Sequence, residues 1–296
     1  MPRGWLEQAP VTRALLTMNV AVFVVQLVLT AGRSLMHLPT REALAFGASY
    51  SLATLGEQRW ETLVTACFLH DGVLHLGFNM LVLWQAGPLV ERNVGSARMA
   101  PMYIVAGIAG NLLSVISTTW LQRTAQVTVG ASGAISGVLA AAFVVGWRVQ
   151  GWKGPLTQAM LRWLVFVIVF GILSRVTGSN IDNAAHMGGA LAGGIIAAMW
   201  RRGYRYPESV TRVVVGASGL VLAACIGIVG LRDQTDPFAT MDLKDRDSFT
   251  TRALMDGSCR KAHDGLLAVE RLRRMLAPVA RLRERVESEC GHVGDE

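Results

Sequence analysis

The sequence predicts an all-α membrane protein, a polytopic helical bundle that crosses the bilayer several times. Of its 296 residues, 52% are hydrophobic and only 17% are charged, whereas about a quarter of the residues in soluble domains are charged. The apolar residues form repeated runs of about 20 with almost no charge, the length that a helix needs to cross a bilayer. No amphipathic stripe precedes residue 240, which makes a soluble α/β fold the weaker alternative.

Seven apolar segments follow one another along the chain. They cover approximately residues 14–31, 75–90, 99–117, 131–147, 159–173, 184–200 and 213–231. Most must be helical, because lipid cannot satisfy an open backbone. The second segment is short and begins with His75, so it is the least lipid-like. We therefore expect a six-helix core over residues 1–212 and a seventh transmembrane helix over 213–231, followed by a linker over 232–250 and an extramembrane helical tail over 251–296.

The Lys and Arg residues in the short loops predict the orientation. With seven crossings, eleven of them fall on one side and five on the other, and the richer side is normally cytoplasmic. We expect a multi-pass protein of a bacterial cell membrane, with a cytoplasmic N-terminus and an extracytoplasmic tail. The net charge of +7 then reflects topology. It indicates no nucleic-acid partner, because no basic cluster accompanies it.

The predicted tail contains Cys259 and Cys290. An extracytoplasmic tail would allow these two cysteines to form a disulfide, and a cytoplasmic one would keep them reduced. Apolar residues from Leu266 to Val286 recur at helical spacing with a break near Pro278, which predicts a small two-helix unit. The tail contains no catalytic motif.

Four polar residues lie within the predicted apolar spans or at their starts. His75 and His186 are the two histidines within apolar spans, Asn79 lies one helical turn after His75, and Ser132 opens the fourth span. Ionisable groups inside a membrane are costly and usually functional. All four would begin their helices on the same side of the membrane, at one depth, as a single site requires.

These residue types suggest nucleophilic catalysis. A serine hydroxyl needs a neighbouring base to accept its proton, and the imidazole of His186 can do this near neutral pH. Asn79, His75 and the free backbone N–H of Ser132 can donate hydrogen bonds to an oxyanion. Small residues, Gly133 and Gly137 on the fourth span and Gly189 and Gly193 on the sixth, would let the two helices approach closely.

Three motifs carry a resemblance to a known family. They are Phe68-Leu69-His70 with His75-Leu76-Gly77-Phe78-Asn79-Met80, then Gly130-Ala131-Ser132-Gly133, then Asn183-Ala184-Ala185-His186-Met187-Gly188-Gly189. In this order, on the second, fourth and sixth spans, they make the chain resemble the rhomboid family of intramembrane serine proteases over about residues 11–201.

The resemblance implies a hydrolase with a Ser132–His186 dyad and an oxyanion hole formed by His75, Asn79 and the backbone of Ser132. It implies transmembrane helices of other membrane proteins as substrates, opening beside the fifth span around Trp163 and Phe166, and one helix added to the six-helix core. We expect the lipid bilayer as surroundings, supporting glycines at 130, 133, 189 and 193, and neither cofactor nor metal.

Two positions depart from the family pattern. The residue four positions after the nucleophile is often aromatic and stacks on the catalytic imidazole, whereas here it is Ser136. The first connection usually contains Trp-Arg, but Trp60 is followed by Glu61. We therefore expect His186 to be held by other packing and the first connection to be anchored differently.

Several structural alternatives accompany these assignments. Ser132 could serve as a helix cap, and His75 and Asn79 could satisfy buried carbonyl groups. Asp182, four residues before His186, suits a cap better than a third triad member. A second Gly-Ala-Ser-Gly at residues 216–219 has no histidine or asparagine nearby, so Ser218 is expected to be a packing residue. The alternative functions are an inactive rhomboid-like protein that binds transmembrane segments and, less favoured, a transporter.

Overall fold

A computed structural model describes residues 7–122, 124–176, 181–201, 205–273 and 280–291. These residues form thirteen α-helices and one two-stranded sheet, besides short 3-10 and π turns. The helices are α1 (Pro10–Leu29), α2 (Thr40–Ala45), α3 (Ser51–Gly56), α4 (Thr62–Thr65), α5 (Val73–Val94), α6 (Ser96–Ile116), α7 (Ser132–Gln150), α8 (Pro155–Val176), α9 (Asn183–Met199), α10 (Glu208–Thr235), α11 (Leu243–Met255), α12 (Cys259–Arg273) and α13 (Ala280–Cys290). The predicted fold class is confirmed.

Six helices in the described part of the chain are long and apolar enough to cross a membrane. They are α1, α5, α6 with its π-helical extension to Leu121, α7, α8 and α10. The predicted sixth span coincides with α9, which has 17 residues and is too short for the same criterion. It packs against α6 and α7, and Met187, Leu191, Ile195 and Met199 form an exposed apolar face on its outer side.

The second span is longer than predicted. It was expected over residues 75–90, whereas α5 continues to Val94 and ends at Gly95 with φ of 87°. The extension includes the buried carboxylate of Glu91, which accepts hydrogen bonds from the backbone N–H groups of Val11 and Thr12 at 2.9 and 2.7 Å. An anion is favourable at the start of α1, so this polar turn locks α1 onto α5.

The centre of the bundle is formed by α6, α7 and α9. More than half of the residues in the most apolar stretches of α6 and α7 are buried, whereas fewer than a fifth are buried in those of α8 and α10. Exposed Val, Ile, Leu and Phe side chains cover α8 and α10, as expected for surfaces that face lipid rather than water. Residues near the starts of α7 and α9 therefore lie in the best-packed part of the molecule.

The first connection, residues 30–72, folds into a compact layer at one end of the bundle. It contains α2, α3 and α4 and the strand β1 (Ser49–Tyr50), which pairs antiparallel with β2 (Val127–Thr128). Gln26 of α1 holds the end of this layer, donating to the carbonyl of His70 at 3.1 Å and accepting from its N–H at 3.2 Å. The layer is thus tied both to α1 and to the segment before α7.

The C-terminal region packs on this layer. The helix α11 begins at Leu243, inside the segment predicted as a linker, because the Asp242 side chain caps it by accepting from the N–H of Asp245 at 2.9 Å. Cys259 and Cys290 form a disulfide that joins α12 to α13, with their Cα atoms 5.3 Å apart. Leu272 of α12 is buried in one cluster with residues of the first connection. The tail helices α11–α13 therefore lie at the same end of the bundle as the first connection.

Candidate active site

Ser132 is the first residue of α7, and the residue in the N-cap position is Ala131. No side chain caps this helix, so the reading of Ser132 as a cap is wrong. Its hydroxyl makes no hydrogen bond to any residue that the structure describes. Its backbone N–H lies in the first turn, where a helix provides no acceptor. Both groups are therefore available to a ligand.

Gly130 shapes the turn that leads into Ser132. Its φ of +125° lies in a region that residues with a side chain rarely adopt, and its N–H donates to the carbonyl of Ala66 at 2.9 Å. A Cβ at this position would lie 2.8 Å from Nε2 of His75 and 3.9 Å from Nδ2 of Asn79. The two polar side chains of α5 thus lie directly against the backbone that precedes Ser132.

His75 and Asn79 are one turn apart on α5 and present hydrogen-bond donors. Nδ1 of His75 accepts from the N–H of Asp71 at 3.3 Å, which assigns the ring proton to Nε2, the atom beside Gly130. Nδ2 of Asn79 donates to the carbonyl of His75 at 3.1 Å and has a second hydrogen left. Both groups can donate to an oxygen atom near the start of α7.

A second imidazole packs behind this pair. The His70 side chain is fully buried, and its ring centroid is 5.2 Å from that of His75. Burial lowers the pKa of His70 to about 3, and the neighbouring His75 acts in the same direction. His70 is therefore neutral at physiological pH and adds no positive charge to the site.

His186 lies in the first turn of α9 and is buried. Among the described residues its Nδ1 has no hydrogen-bond partner. The carbonyl oxygen of Ala185 lies 3.3 Å from a Cβ built on Gly133. The residue before His186 is thus packed against the residue after Ser132.

The glycines of α7 and α9 face one another. A Cβ on Gly189 would collide with the carbonyl oxygen of Gly133, and one on Gly193 would collide with the backbone of Gly137. A Cβ on Gly137 would in turn lie 2.9 Å from the carbonyl oxygen of Gly189. The two helices are in backbone contact over two turns, which only residues without side chains permit.

Asp182 acts as the cap of α9, as predicted, and not as a triad member. One carboxylate oxygen accepts from the N–H of Ala185 at 2.9 Å. The other accepts from the hydroxyl groups of Ser114 and Thr128, the latter at 3.2 Å. This carboxylate joins α6, β2 and α9, and it makes no hydrogen bond to Nδ1 of His186.

Both departures from the family pattern have local explanations. Ser136 is buried, and its hydroxyl donates to the carbonyl of Ser132 at 2.8 Å. The carboxylate of Glu61 lies 3.7 Å from Arg59 and 3.2 Å from Arg232 at the end of α10. An acidic residue after Trp60 therefore joins the first connection to the last long helix.

Aromatic side chains line the contact between α5 and α8. The rings of Phe78 and Phe170 lie 6.0 Å apart, Phe166 stacks on Phe170 at 5.6 Å, and Trp163 meets Phe166 edge-on at 5.7 Å. Phe78 is in the same turn of α5 as Asn79. Phe78, Phe166 and Phe170 are each about half exposed on the surface of the bundle.

Sequence reasoning missed the short sheet that supports the site. The β-branched run Val127-Thr128-Val129 before Gly130 was a strand signal, but two residues on each strand are too few to predict a pairing. Nor does the described part of the chain contain a group of three or more His, Cys, Asp or Glu side chains that could hold a metal ion.

Comparison with known proteins identifies the family. A family model described as Rhomboid domain matches residues 57–203. The chain is 33% identical over 205 residues to rhomboid protease AarA of Providencia stuartii, across 63% of this chain and 70% of the relative. The chain belongs to the rhomboid family. The resemblance predicted from the motifs is confirmed, and the rhomboid match contains Ser132, His186, His75 and Asn79.

Other rhomboid relatives are matched over smaller parts of their length. Rhomboid protease GluP of Bacillus subtilis is 37% identical over 160 residues, which are 54% of this chain and 29% of the relative. RHOMBOID-like protein 5 of Arabidopsis thaliana is 34% identical over 139 residues, 46% of this chain and 42% of the relative. This chain therefore spans less than half the length of both. The two bacterial relatives are named as proteases and the plant relative is not.

Proposed function

We propose that this rhomboid-family protein is a serine endopeptidase that hydrolyses peptide bonds in transmembrane helices of other membrane proteins. One observation carries the proposal. The first turn of α5 lies against Gly130, in the turn that leads into Ser132, and the start of α9 packs against Gly133, the residue after it. The names of the bacterial relatives support proteolysis at the level of the family.

In the proposed reaction the Ser132 hydroxyl oxygen attacks the carbonyl carbon of the substrate peptide. His186 accepts the hydroxyl proton as the new C–O bond forms, and then gives it to the departing amine as the C–N bond breaks. The product is an acyl-enzyme, which water hydrolyses with His186 again acting as base. The free Ser132 hydroxyl supports this role, because catalytic hydrogen bonds often close only when substrate binds.

The tetrahedral intermediate carries a negative oxygen that requires donors already in position. The backbone N–H of Ser132, Nε2–H of His75 and the second amide hydrogen of Asn79 are proposed to supply them. Donors held by a packed backbone need no reorganisation during the reaction, and each is worth about 10²- to 10³-fold in rate. The contact of His75 with Gly130 supports this arrangement.

A dyad accounts for the site better than a triad. The Asp182 carboxylate is occupied by an N–H group and two hydroxyl groups, and Nδ1 of His186 has no partner among the described residues. The ring is therefore oriented by the packing of α9 against α6 and α7 rather than by a carboxylate. Loss of one of the two groups should then abolish turnover.

The site is proposed to open on the extracytoplasmic side, with a cytoplasmic N-terminus and the tail helices outside. The distribution of Lys and Arg supports this orientation. Substrates would enter sideways from the lipid past the aromatic contact of α5 with α8. Phe78, Phe166 and Phe170 would have to separate for a helix to reach Ser132, which would let closure exclude lipid between turnovers.

The deciding experiment uses the purified full chain and a model single-span substrate in detergent or proteoliposomes. Ser132→Ala and His186→Ala are each expected to lower the cleavage rate at least about a thousandfold, because the groups act as a unit. A fluorophosphonate should label wild type at Ser132 and should fail to label the His186→Ala variant. Equal product from wild type and Ser132→Ala would exclude Ser132 as nucleophile.

A matched control lies in the second Gly-Ala-Ser-Gly sequence. Ser218 donates to the carbonyl of Val214 within α10 at 2.9 Å and has no part in the proposed site. Ser218→Ala should cleave at the wild-type rate, and Ser218 should remain unlabelled. Substrate that binds wild type but is never cut, without labelling of Ser132, would favour the inactive helix-binding alternative.

A further inference from the structure

The tail helices are joined to the first connection through a buried arginine. Arg246 of α11 has no exposed surface, and two of its nitrogens contact the carboxylate of Glu57 at 2.6 and 3.2 Å. Its remaining hydrogens bind the carbonyl groups of Met241, Phe238 and Ala268 at 2.9 to 3.2 Å. All five guanidinium hydrogens thus have an acceptor. This ion pair is therefore a specific contact between the tail and the first connection, because removal of one partner would leave the charge of the other buried and uncompensated.

Apolar packing and one hydrogen bond extend the contact between the tail and the first connection to β1. Leu272 of α12 is buried with Tyr50, Leu52 and other side chains of the first connection, and the hydroxyl of Tyr50 accepts from the N–H of Leu243 at 3.2 Å. The backbone of α12 also approaches closely: a Cβ on Gly56 would lie 2.5 Å from the carbonyl oxygen of Arg271. The tail is thus fitted against the residues that hold β1 in place.

The strand β1 in turn supports the turn before Ser132. Ser49 and Tyr50 pair with Thr128 and Val127, and the N–H of Ser51 donates to the carbonyl of Gln126 at 3.1 Å. The side chain of Val127 packs against the same apolar cluster as Tyr50. A ladder of two residues is marginal by itself. Its position therefore depends on what is packed behind it, and the tail supplies part of that packing.

We propose that the tail helices act as a positioning element for the nucleophile, with Arg246 and Tyr50 as the positioning residues. The tail helices fix the position of β1, and β1 fixes β2 through the strand pairing. Because β2 leads into the Gly130–Ser132 turn, it places that turn against His75 and Asn79. The contacts that the described tail residues make with the first connection do not involve Ser132 or His186. The inference rests on the proposed function for its effect on catalysis, but the mechanical link can be measured without it.

Two variants of the full chain weaken the contact between the tail and the first connection to different degrees. Arg246→Met removes the charge while it retains much of the apolar stem, and Tyr50→Phe removes only the hydroxyl that accepts from Leu243. The matched control is Arg273→Gln, which breaks an ion pair of 2.8 Å between Arg273 and Asp247 inside the tail. All three remove a polar contact of the tail, but only the first two act on the first connection.

The first measurement is hydrogen exchange of the segment 124–131 in the purified protein, followed by mass spectrometry. Exchange should rise at least fivefold in Arg246→Met and about twofold in Tyr50→Phe, and should stay at the wild-type level in Arg273→Gln. An unchanged rate in Arg246→Met, with the tail itself shown to exchange faster, would overturn the proposal. This measurement needs neither substrate nor catalysis.

The second measurement compares kinetics of model-substrate cleavage and the rate of fluorophosphonate labelling. We expect Arg246→Met to lower kcat and the labelling rate by the same factor, at least about fivefold, with KM unchanged. A variant with a released segment 124–131 but wild-type kcat and labelling would overturn the positioning role and leave the protease proposal intact. Failure of wild type to label at Ser132 would instead overturn the protease proposal, and the exchange result would still decide the mechanical link.

Discussion

Polar side chains inside the bundle differ in whether they have a hydrogen-bond partner. Glu91, Gln26 and Asp182 each satisfy their acceptor or donor groups with named partners. The Ser132 hydroxyl and Nδ1 of His186 have no partner within the part of the chain that the structure describes. An unsatisfied buried group costs about 1–3 kcal/mol. Other buried atoms, such as both ring nitrogens of His70, also have no partner among the described residues. Nδ1 of His186 bears this cost at the position where the proposed chemistry needs a free group.

Substitution of Gly130 tests the turn at the level of one residue. Gly130→Ala places a Cβ 2.8 Å from Nε2 of His75 at a φ of +125°. It should lower the cleavage rate about 10²-fold or more through loss of an oxyanion donor and cost about 1–3 kcal/mol of stability. The measurements are kcat of substrate cleavage and the thermal unfolding midpoint.

The control separates backbone strain from displacement of His75. Gly95 also has a positive φ, of +87°, but a Cβ there meets no atom within 4 Å, and it lies between α5 and α6. Gly95→Ala should lower the unfolding midpoint and leave kcat near wild type. Equal losses of kcat in both variants would mean that strain alone explains the effect, and the donor role of His75 would be wrong.

At the scale of elements, the site depends on how closely two helices approach. Ser132 and His186 are 54 positions apart in the sequence, and each lies near the start of its helix. Gly133, Gly137, Gly189 and Gly193 allow backbone contact between α7 and α9. Because a helix is stiff, a displacement at one of these glycines moves the whole first turn.

Two glycines of α9 make a matched pair of positions. A Cβ on Gly189 would collide with the carbonyl oxygen of Gly133, whereas one on Gly194 would meet only Ala140, at 3.9 Å. Gly189→Ala should cost about 1–3 kcal/mol through overpacking and lower kcat strongly. Gly194→Ala should be neutral or stabilise the helix by up to about 1 kcal/mol. Thermal unfolding and substrate cleavage check both; wild-type kcat in Gly189→Ala would contradict the dependence on close approach.

At the scale of the whole molecule, the first connection is the layer that contacts the tail helices, α10 and β2. The first connection contacts the tail through Arg246 and Leu272, contacts α10 through Arg232 and Glu61, and pairs with β2. Polar contacts that link segments nearly 190 positions apart make one cooperative unit of this end of the protein. Stability of the tail is therefore expected to affect the layer that supports the site.

Removal of the disulfide tests how much it contributes to the stability of the tail itself. Cys259 and Cys290 are 31 positions apart, and closing a loop of that length stabilises by up to about 3–4 kcal/mol through the unfolded state. Cys259→Ser with Cys290→Ser should lower the unfolding free energy of the tail by about that amount. Reductant should bring wild type to the same level. Denaturant unfolding, monitored by hydrogen exchange of the segment 280–291, measures the effect of the substitutions and that of the reductant.

Cys225 provides the control for loss of a thiol. It is a free cysteine on α10 and is not part of the disulfide, so Cys225→Ser should unfold as wild type does and respond to reductant in the same way. Insensitivity of wild type to reductant would show that the bond contributes nothing to the tail.

The sequence by itself determined the membrane class, the family and the identity of the candidate site residues. Apolar runs of bilayer length have few alternatives, because lipid tolerates so few folds. Ser132, His75 and His186 were recognisable because polar groups in such runs are costly and rare. The pairs of glycines on two spans predicted where those helices could touch. These are local signals, and each can be read within one segment.

Only the tertiary structure decided how the distant segments meet. The pairing of β1 with β2, the junction of Arg246 with Glu57 and the contact of Glu61 with Arg232 join residues separated by 77 to 189 positions. A two-residue strand has no periodicity to detect, and an arginine in a polar tail looks solvated until its carboxylate partner is found. Such contacts depend on the summed geometry of the bundle, which no single stretch of sequence contains.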